Sequence, residues 1–167
     1  MPIAPTEPTA AGSILEEHLT SPSLLLALLG QDAMRRLRAA LDAHDLKPRQ
    51  FQLLAMLRDH GPLGQGELGQ TMGVDPSILV TFLNPLEARG LVTRRRDALD
   101  RRRHVVGLTA AGGRHLVSAA RAQRAAEDDL FAGIDADQRQ QLRTLLVALQ
   151  GNSAGAPCEA GDGEDPA

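Results

Sequence analysis

A run of charge between two apolar segments constrains the fold of this 167-residue chain more than any other feature. Residues 94–103 read RRRDALDRRR, which is six arginines against two aspartates. Residues 91–96, which include the start of the run, and residues 104–108, which follow it, are short segments with the β-branched residues typical of strands. The run therefore predicts a β-hairpin whose tip is strongly basic.

Helical apolar periods surround this hairpin. Spacings of i, i+3 and i+4, N-caps such as Asp75 and Thr109, and stops such as Gly73 and Gly90 set the helix boundaries. The predicted helices cover residues 23–43, 48–60, 64–72, 75–89, 109–131 and 135–150. Two short helices joined by a tight turn and followed by a hairpin form a winged helix-turn-helix. We therefore predict a mainly α-helical chain with a small β-hairpin wing.

The helix over residues 75–89 has an unusual outward face. At 100° per residue its leucines cluster on one side, and Ser77, Thr81, Asn84 and Ala88 lie on the other. Solvent-exposed faces usually carry Lys and Glu, whereas this face is small and uncharged. It could approach base edges in a major groove, where asparagine can read adenine bidentately. An ordinary solvent-exposed face is the alternative.

The basic hairpin also has two interpretations. Charge runs are often solvated surface, but beside a helix-turn-helix an arginine-rich tip fits the minor groove and neutralises phosphates. Asp100 would then orient Arg94 or Arg102 through a bidentate pair. The net charge of −3 is no obstacle, because the four acids of residues 151–167 account for it and the remaining chain carries +1. We favour contact with double-stranded DNA.

Composition and apolar pattern divide the chain into five parts. The apolar surface of the leucine-rich segments 24–29 and 142–149 is larger than one small winged helix can cover, so we expect a homodimer. In chain order the parts are a largely disordered N-terminal segment (1–22), an N-terminal dimerisation helix (23–46), a winged helix-turn-helix DNA-binding domain (47–108), C-terminal dimerisation helices (109–150) and a disordered acidic tail (151–167).

One stretch resembles a known family of bacterial transcription factors. Residues 86–112, LEARGLVTRRRDALDRRRHVVGLTAAG, resemble the MarR (multiple antibiotic resistance regulator) family, as do GELG from Gly66 and GVDPS from Gly73. The sequence departs from the family pattern at Thr81, where many members carry arginine. It also departs at Pro85, whose missing N–H predicts a kink or an earlier helix end.

The resemblance implies a homodimer whose terminal helices intertwine, and whose two winged helices each read half of a palindromic operator. It implies repression as the commoner outcome. It also implies roles for Asp100 and Arg102 at the wing tip, and for Arg94 in supporting the wing or contacting phosphate. The full set of candidate DNA-binding residues is Ser77, Ile78, Thr81, Asn84, Arg94, Arg96, Asp100, Arg101, Arg102 and Arg103.

Many relatives release DNA when a small, often aromatic anion binds between the dimerisation and DNA-binding regions. His44 and His115 are candidates for lining such a crevice, and ordinary satisfied histidines are the alternative. The five histidines are scattered, so no metal or cofactor is expected. Cys158 can form no internal disulfide, and neighbouring acids should raise the pKa of its thiol, so we do not expect a redox sensor.

Other function classes lack their signals. The chain has no phosphate-cradling glycine loop and no Gly-x-Ser-x-Gly turn, so we expect no enzyme. Aromatic residues make up 2%, too few to stack single-stranded bases. No signal peptide or apolar span is evident, so we expect a cytoplasmic protein, nucleoid-associated when bound. The remaining alternative is a winged helix that binds another protein without reading DNA.

Overall fold

The computed structural model describes residues 13–96 and 103–152. This part of the chain forms helices around a small antiparallel sheet, which confirms the predicted fold class. In order, the elements are α1 (Ile14–Leu19), α2 (Pro22–Asp42), α3 (Pro48–His60), β1 (Leu63–Gly64), α4 (Gln65–Met72), α5 (Pro76–Ala88), β2 (Val92–Arg96), β3 (His104–Leu108), α6 (Ala110–Leu130) and α7 (Ala136–Asn152).

The sheet has three strands in the order β1-β3-β2. β2 and β3 form the predicted hairpin, with Val92 opposite Leu108 and Arg96 opposite His104. β1 was not predicted, because two residues after a Gly-Pro pair carry no periodic signal. It exists because Leu63 pairs with Val106 on the other edge of β3. The third strand fixes the base of the wing to the helices.

The core lies under the helix-turn-helix. α5 contributes the leucines expected from its period, with Leu79, Leu83 and Leu86 at 0% exposure. The other large, fully buried side chains come from α2, α3, α4, the strands and the turn after α2: Leu41, Leu46, Leu53, Leu54, Leu57, Leu68, Val92 and Val106. Leu116 and Ala119 of α6 join this core, so the winged helix, the end of α2 and part of α6 complete a core within one chain.

The turn between α4 and α5 follows its predicted chemistry. Gly73 has φ +63°, a left-handed conformation that suits glycine, and it ends α4. Asp75 then caps α5, because its Oδ1 accepts a hydrogen bond from the Ser77 backbone N–H at 2.8 Å. α5 runs through Pro85 to Ala88, so the earlier end that the proline made possible does not occur.

The two ends of the described chain differ from the predicted division. Residues 14–19, expected in a largely disordered segment, form α1, whose first turn is favoured by Glu16 and Glu17. The helix was missed because six residues beside a proline-rich stretch give no clear period. α7 extends to Asn152, two residues into the predicted tail. Residues 1–12 and 153–167, with Cys158, lie outside the described residues.

The terminal helices leave apolar surface uncovered in one copy of the chain. α2 packs along α6, yet much of its leucine-rich first half faces outward. No α7 side chain from residues 136 to 151 is buried. The exposed large apolar residues of these helices include Leu25, Leu26, Leu28, Leu29, Leu145, Leu146 and Val147. Within the part of the chain described, no helix is long and apolar enough to cross a membrane.

Candidate nucleic-acid interface

The outward face of α5 is exposed as its period predicts. Ser77, Ile78, Thr81 and Asn84 are all exposed, whereas the leucines on the opposite side of the helix are buried. Ile78 adds the large apolar side chain of this face, at 46% exposure. The face is therefore free of basic side chains, and its polar groups are two hydroxyls and one amide.

Both hydroxyls of this face are hydrogen-bonded within the helix. Ser77 Oγ donates to Asp75 Oδ1 at 2.7 Å, and Thr81 Oγ1 donates to the Ile78 carbonyl at 2.6 Å. The bonds from the Ser77 hydroxyl and backbone N–H hold the pKa of the Asp75 carboxyl below its usual range. Asp75 is thus ionised at neutral pH and can act only as an acceptor.

Arg94 connects the wing to this face. Its Nε donates to Glu87 Oε2 at 2.7 Å, its Nη2 bonds the same oxygen, and its Nη2 also donates to Asn84 Oδ1 at 2.7 Å. The guanidinium lowers the pKa of the Glu87 carboxyl, so the pair stays charged at neutral pH. A strand side chain thereby fixes two α5 side chains one turn apart.

Glu87 was absent from the predicted site. The available signal was its position three residues after Asn84 on the same helix face, but this spacing does not show that Arg94 joins the two side chains. The predicted partner of Arg94, Asp100, lies outside the described residues, as do Arg101 and Arg102.

The described base of the wing is basic and exposed. Arg95, Arg96 and Arg103 are exposed, and Arg96 stands opposite His104 in the ladder. Exposed arginines therefore lie at the end of β2 and directly before β3, on both sides of the segment that carries Asp100. Together with the α5 face, this gives an uncharged helix surface beside exposed arginines, and arginines often contact phosphates in protein–DNA interfaces.

Comparison with known proteins identifies the family. Residues 46–104 match the model of the MarR family. Residues 46–104 belong to the MarR family. Among curated relatives, the transcriptional repressor NicR from Pseudomonas putida is 34% identical over 58% of this chain and 61% of its own length. The chain spans about three fifths of the length of the first curated relatives that it matches.

Solved MarR-family structures share the fold over most of the chain. A mutant of MarR from E. coli, complexed with operator DNA, is 25% identical, with a TM-score of 0.67 over 82% of this chain and 99% of that one. The repressor CouR, bound to a 23-mer DNA duplex, is 26% identical, with a TM-score of 0.73 over 84% and 99%. The relatives are named as transcriptional regulators, and the family consists of regulators rather than enzymes.

The two candidate histidines, His44 and His115, lie close together in the structure. The rings of His44 and His115 are 5.6 Å apart, edge to face, and His115 Nε2 is 2.8 Å from the His44 carbonyl. Both are half-buried. They lie where the end of α2 meets α6, between the terminal helices and the winged helix.

Arg89 completes this histidine cluster and was not predicted. Following α5, it donates to the carbonyls of His44 and Asp45, and its Nη2 is 3.2 Å from His115 Nε2. Either the His115 nitrogen accepts from Arg89 or it donates to the His44 carbonyl, since one ring nitrogen cannot do both. The cluster ties the C-terminal end of α5 to α2 and α6. Among residues 13–96 and 103–152, no group of His, Cys, Asp or Glu side chains could hold a metal ion.

Proposed function

We propose that this protein is a homodimeric transcriptional repressor that binds a palindromic operator in double-stranded DNA. α5 would enter the major groove, and the wing between β2 and β3 would reach the flanking minor groove. The observation that carries the proposal is the Arg94 bridge, because it fixes an uncharged helix face and an arginine-rich hairpin as neighbours. DNA-bound structures of MarR and CouR, which share the fold, support it.

We propose the following contacts with DNA. Ser77, Ile78, Thr81 and Asn84 would meet base edges. In this proposal Arg96, Arg101 and Arg103 neutralise phosphates, Arg102 enters the minor groove, and Asp100 and Arg94 hold the wing in place.

The homodimer is supported by the uncovered terminal helices. Leucines and an isoleucine are exposed on α1, the first half of α2 and α7. Burying such apolar side chains against a second copy of the same surface is favourable. A two-fold dimer presents two α5 helices, which matches two half-sites about one DNA turn apart. We therefore assign residues 23–46 and 109–150 to dimerisation and residues 47–108 to DNA binding. Such a regulator works in the cytoplasm, on the nucleoid.

Release by a small anionic or aromatic effector is supported by the histidine cluster. Arg89, His115 and His44 bring donors and rings to the junction that relates the terminal helices to α5. An anion that competes for Arg89 would loosen the tie between α5 and α2. The change would alter the spacing of the two α5 helices in a dimer.

Binding-site selection from fragments of the source genome at moderate salt tests the proposal. We expect a palindromic site, with affinity falling steeply as salt rises. Arg102→Ala should weaken operator binding by about 1–3 kcal/mol. Arg58→Ala, an exposed arginine on α3, is the control and should change it little. Diffuse binding without a preferred site, or an unaffected Arg102→Ala variant, would favour the protein-interaction alternative.

A further inference from the structure

The three polar side chains of the α5 face are not free to choose their hydrogen-bonding role. In bulk solution a hydroxyl can donate or accept, and an amide can do both. Here each of the three already bonds a group of the protein whose own role is fixed. What each side chain can still offer to a ligand therefore follows from its internal partner.

The two hydroxyls have committed their protons. The partner of Ser77 Oγ is a carboxylate oxygen of Asp75, and the partner of Thr81 Oγ1 is the Ile78 carbonyl oxygen. Both partners are acceptors only, so each hydroxyl must be the donor in these bonds. The lone pairs of Ser77 Oγ and Thr81 Oγ1 remain, and they can only accept.

The amide of Asn84 is oriented in the opposite sense. Arg94 Nη2 is a donor only, so the Asn84 atom 2.7 Å from it is the carbonyl oxygen Oδ1. Glu87 holds the same guanidinium, which therefore cannot turn away freely. The amide oxygen points towards the wing strand, and the Nδ2 group, with two N–H donors, points away from it.

We infer that α5 presents a fixed order of groups to DNA: acceptors at Ser77 and Thr81 in its first turns, and donors at Asn84 beside the wing. This inference rests on the proposed function. Acceptors on the protein pair with the exocyclic amines of cytosine or adenine in the major groove, and donors pair with guanine N7 and O6, adenine N7 or thymine O4. Asn84 therefore reads an acceptor edge, and not adenine bidentately as its residue type alone suggested.

The test begins with selection of binding sites from random duplexes by the full-length protein. Ser77→Ala, Thr81→Val and Asn84→Ala each identify the base pair whose preference they remove. Thr81→Val is matched in shape and removes only the oxygen. Thermal melting confirms that each variant is folded. Because a base pair has an acceptor edge and an amine, selection alone does not say which one is read.

Base analogues in the selected site decide the polarity. 7-Deazaguanine, 7-deazaadenine or 4-thiothymine removes or weakens an acceptor, whereas 2-pyrimidinone or purine removes the amine of cytosine or adenine. At the base pair that Asn84 reads, weakening the acceptor should lower the affinity of the unmodified protein about fivefold. The same modification should leave the affinity of the Asn84→Ala variant unchanged. At the Ser77 and Thr81 pairs, removal of the amine should show the same coupling.

A further variant replaces the hydrogen-bond donors at position 84 by an acceptor. Asn84→Asp keeps the shape, can still bond Arg94, and replaces the donors by an acceptor, so its preference should move to an amine-bearing edge. Coupling of Asn84 to an amine, or of Thr81 to an acceptor, overturns the inference while leaving the proposed function intact. If the unmodified protein selects no site at all, the proposed function fails and the inference fails with it.

Discussion

The winged helix and the terminal helices differ in how far their leucine side chains are exposed. In the winged helix, leucines such as Leu54 and Leu83 have 0% exposure within one chain. In the terminal helices, Leu29 is 58% exposed and Leu145 is 64% exposed. The residue type is the same and the helical periods are similar, so the difference lies in what is available to cover the face.

This difference separates the apolar surface that one chain covers by itself from the apolar surface that we propose a second copy covers. α3, α4, α5 and the sheet cover one another, because the turns between them are short and return each apolar face to one core. The first half of α2 and all of α7 are not covered in this way within one chain. Stability of the first region should be independent of protein concentration, and order in the second should depend on it.

The same substitution made in both regions tests whether their stability differs in its dependence on protein concentration. Leu83→Ala removes a fully buried side chain and should lower the free energy of unfolding by about 2–5 kcal/mol at any protein concentration. Leu29→Ala should cost about 0.5 kcal/mol or less in a dilute, dissociated sample and more in a concentrated one. Urea unfolding at two concentrations measures both. Equal, concentration-independent losses would show that the two regions do not differ.

A pair of neighbouring glycines tests the junction between the regions. A Cβ on Gly112 would lie 2.0 Å from the Leu91 carbonyl oxygen. That oxygen cannot move easily, because it accepts the Thr109 backbone N–H at 3.1 Å. Gly112→Ala should therefore destabilise the protein by about 3 kcal/mol.

Gly113→Ala is the matched control for this junction. Its Cβ would meet only Leu108 Cδ2, at 3.9 Å, which is an ordinary contact. Since alanine favours a helix interior over glycine, this variant should be stabilised by about 0.5–1 kcal/mol. Thermal melting compares the two, and similar melting temperatures would contradict the close approach of α6 to Leu91.

A charge in α7 tests the uncovered region directly. Leu145→Glu places a carboxylate in the surface that we assign to the partner copy, and burying it unpaired is unfavourable. The Kd of the dimer should rise about tenfold or more, as measured by sedimentation equilibrium. Arg143→Glu, also exposed on α7, serves as a control for charge alone. A monomeric parent protein, or an unchanged Kd, would remove α7 from the interface.

Sequence was sufficient where the signal is local. The hairpin strands, the Asp75 and Thr109 caps, and the capping box of Asp135 with Gln138 were all predictable, because residues a few positions apart determine them. The buried face of α5 followed from its period for the same reason. These features fix the fold and half of the candidate site.

Sequence was insufficient where distant segments meet. β1 exists only because β3 offers an edge, and Arg89 reaches residues more than forty positions earlier. The pairing of Arg94 with Asn84 and Glu87 depends on how the strand crosses the helix, which no spacing reports. The residue type of Asn84 suggested adenine, and its partner in space changes that expectation.

The smallest predicted effect concerns an ion-pair group that joins α2 to α6. Asp32 accepts from Arg36 Nε at 2.8 Å, and Arg36 also bonds Asp129 on α6. The hydrogen bond from Arg36, then that from Arg35, lowers the pKa of the Asp32 carboxyl. A carboxyl whose pKa is lower in the folded state stabilises that state above its unfolded pKa, and the contribution is lost as pH falls through the folded pKa.

Stability should therefore decline in acid, below the ordinary range of an aspartate, and Asp32→Asn should remove this part of the decline. The effect should be small, because exposed ion pairs contribute little and salt screens them. Melting temperature against pH at low and high salt measures it. Glu17→Gln, at an exposed position on α1, controls for the loss of one charge. If the melting temperature of Asp32→Asn falls in acid at low salt as much as that of the unmodified protein, apolar packing alone maintains the contact between α2 and α6. The terminal helices would then resemble the winged helix more than their exposed leucines suggest.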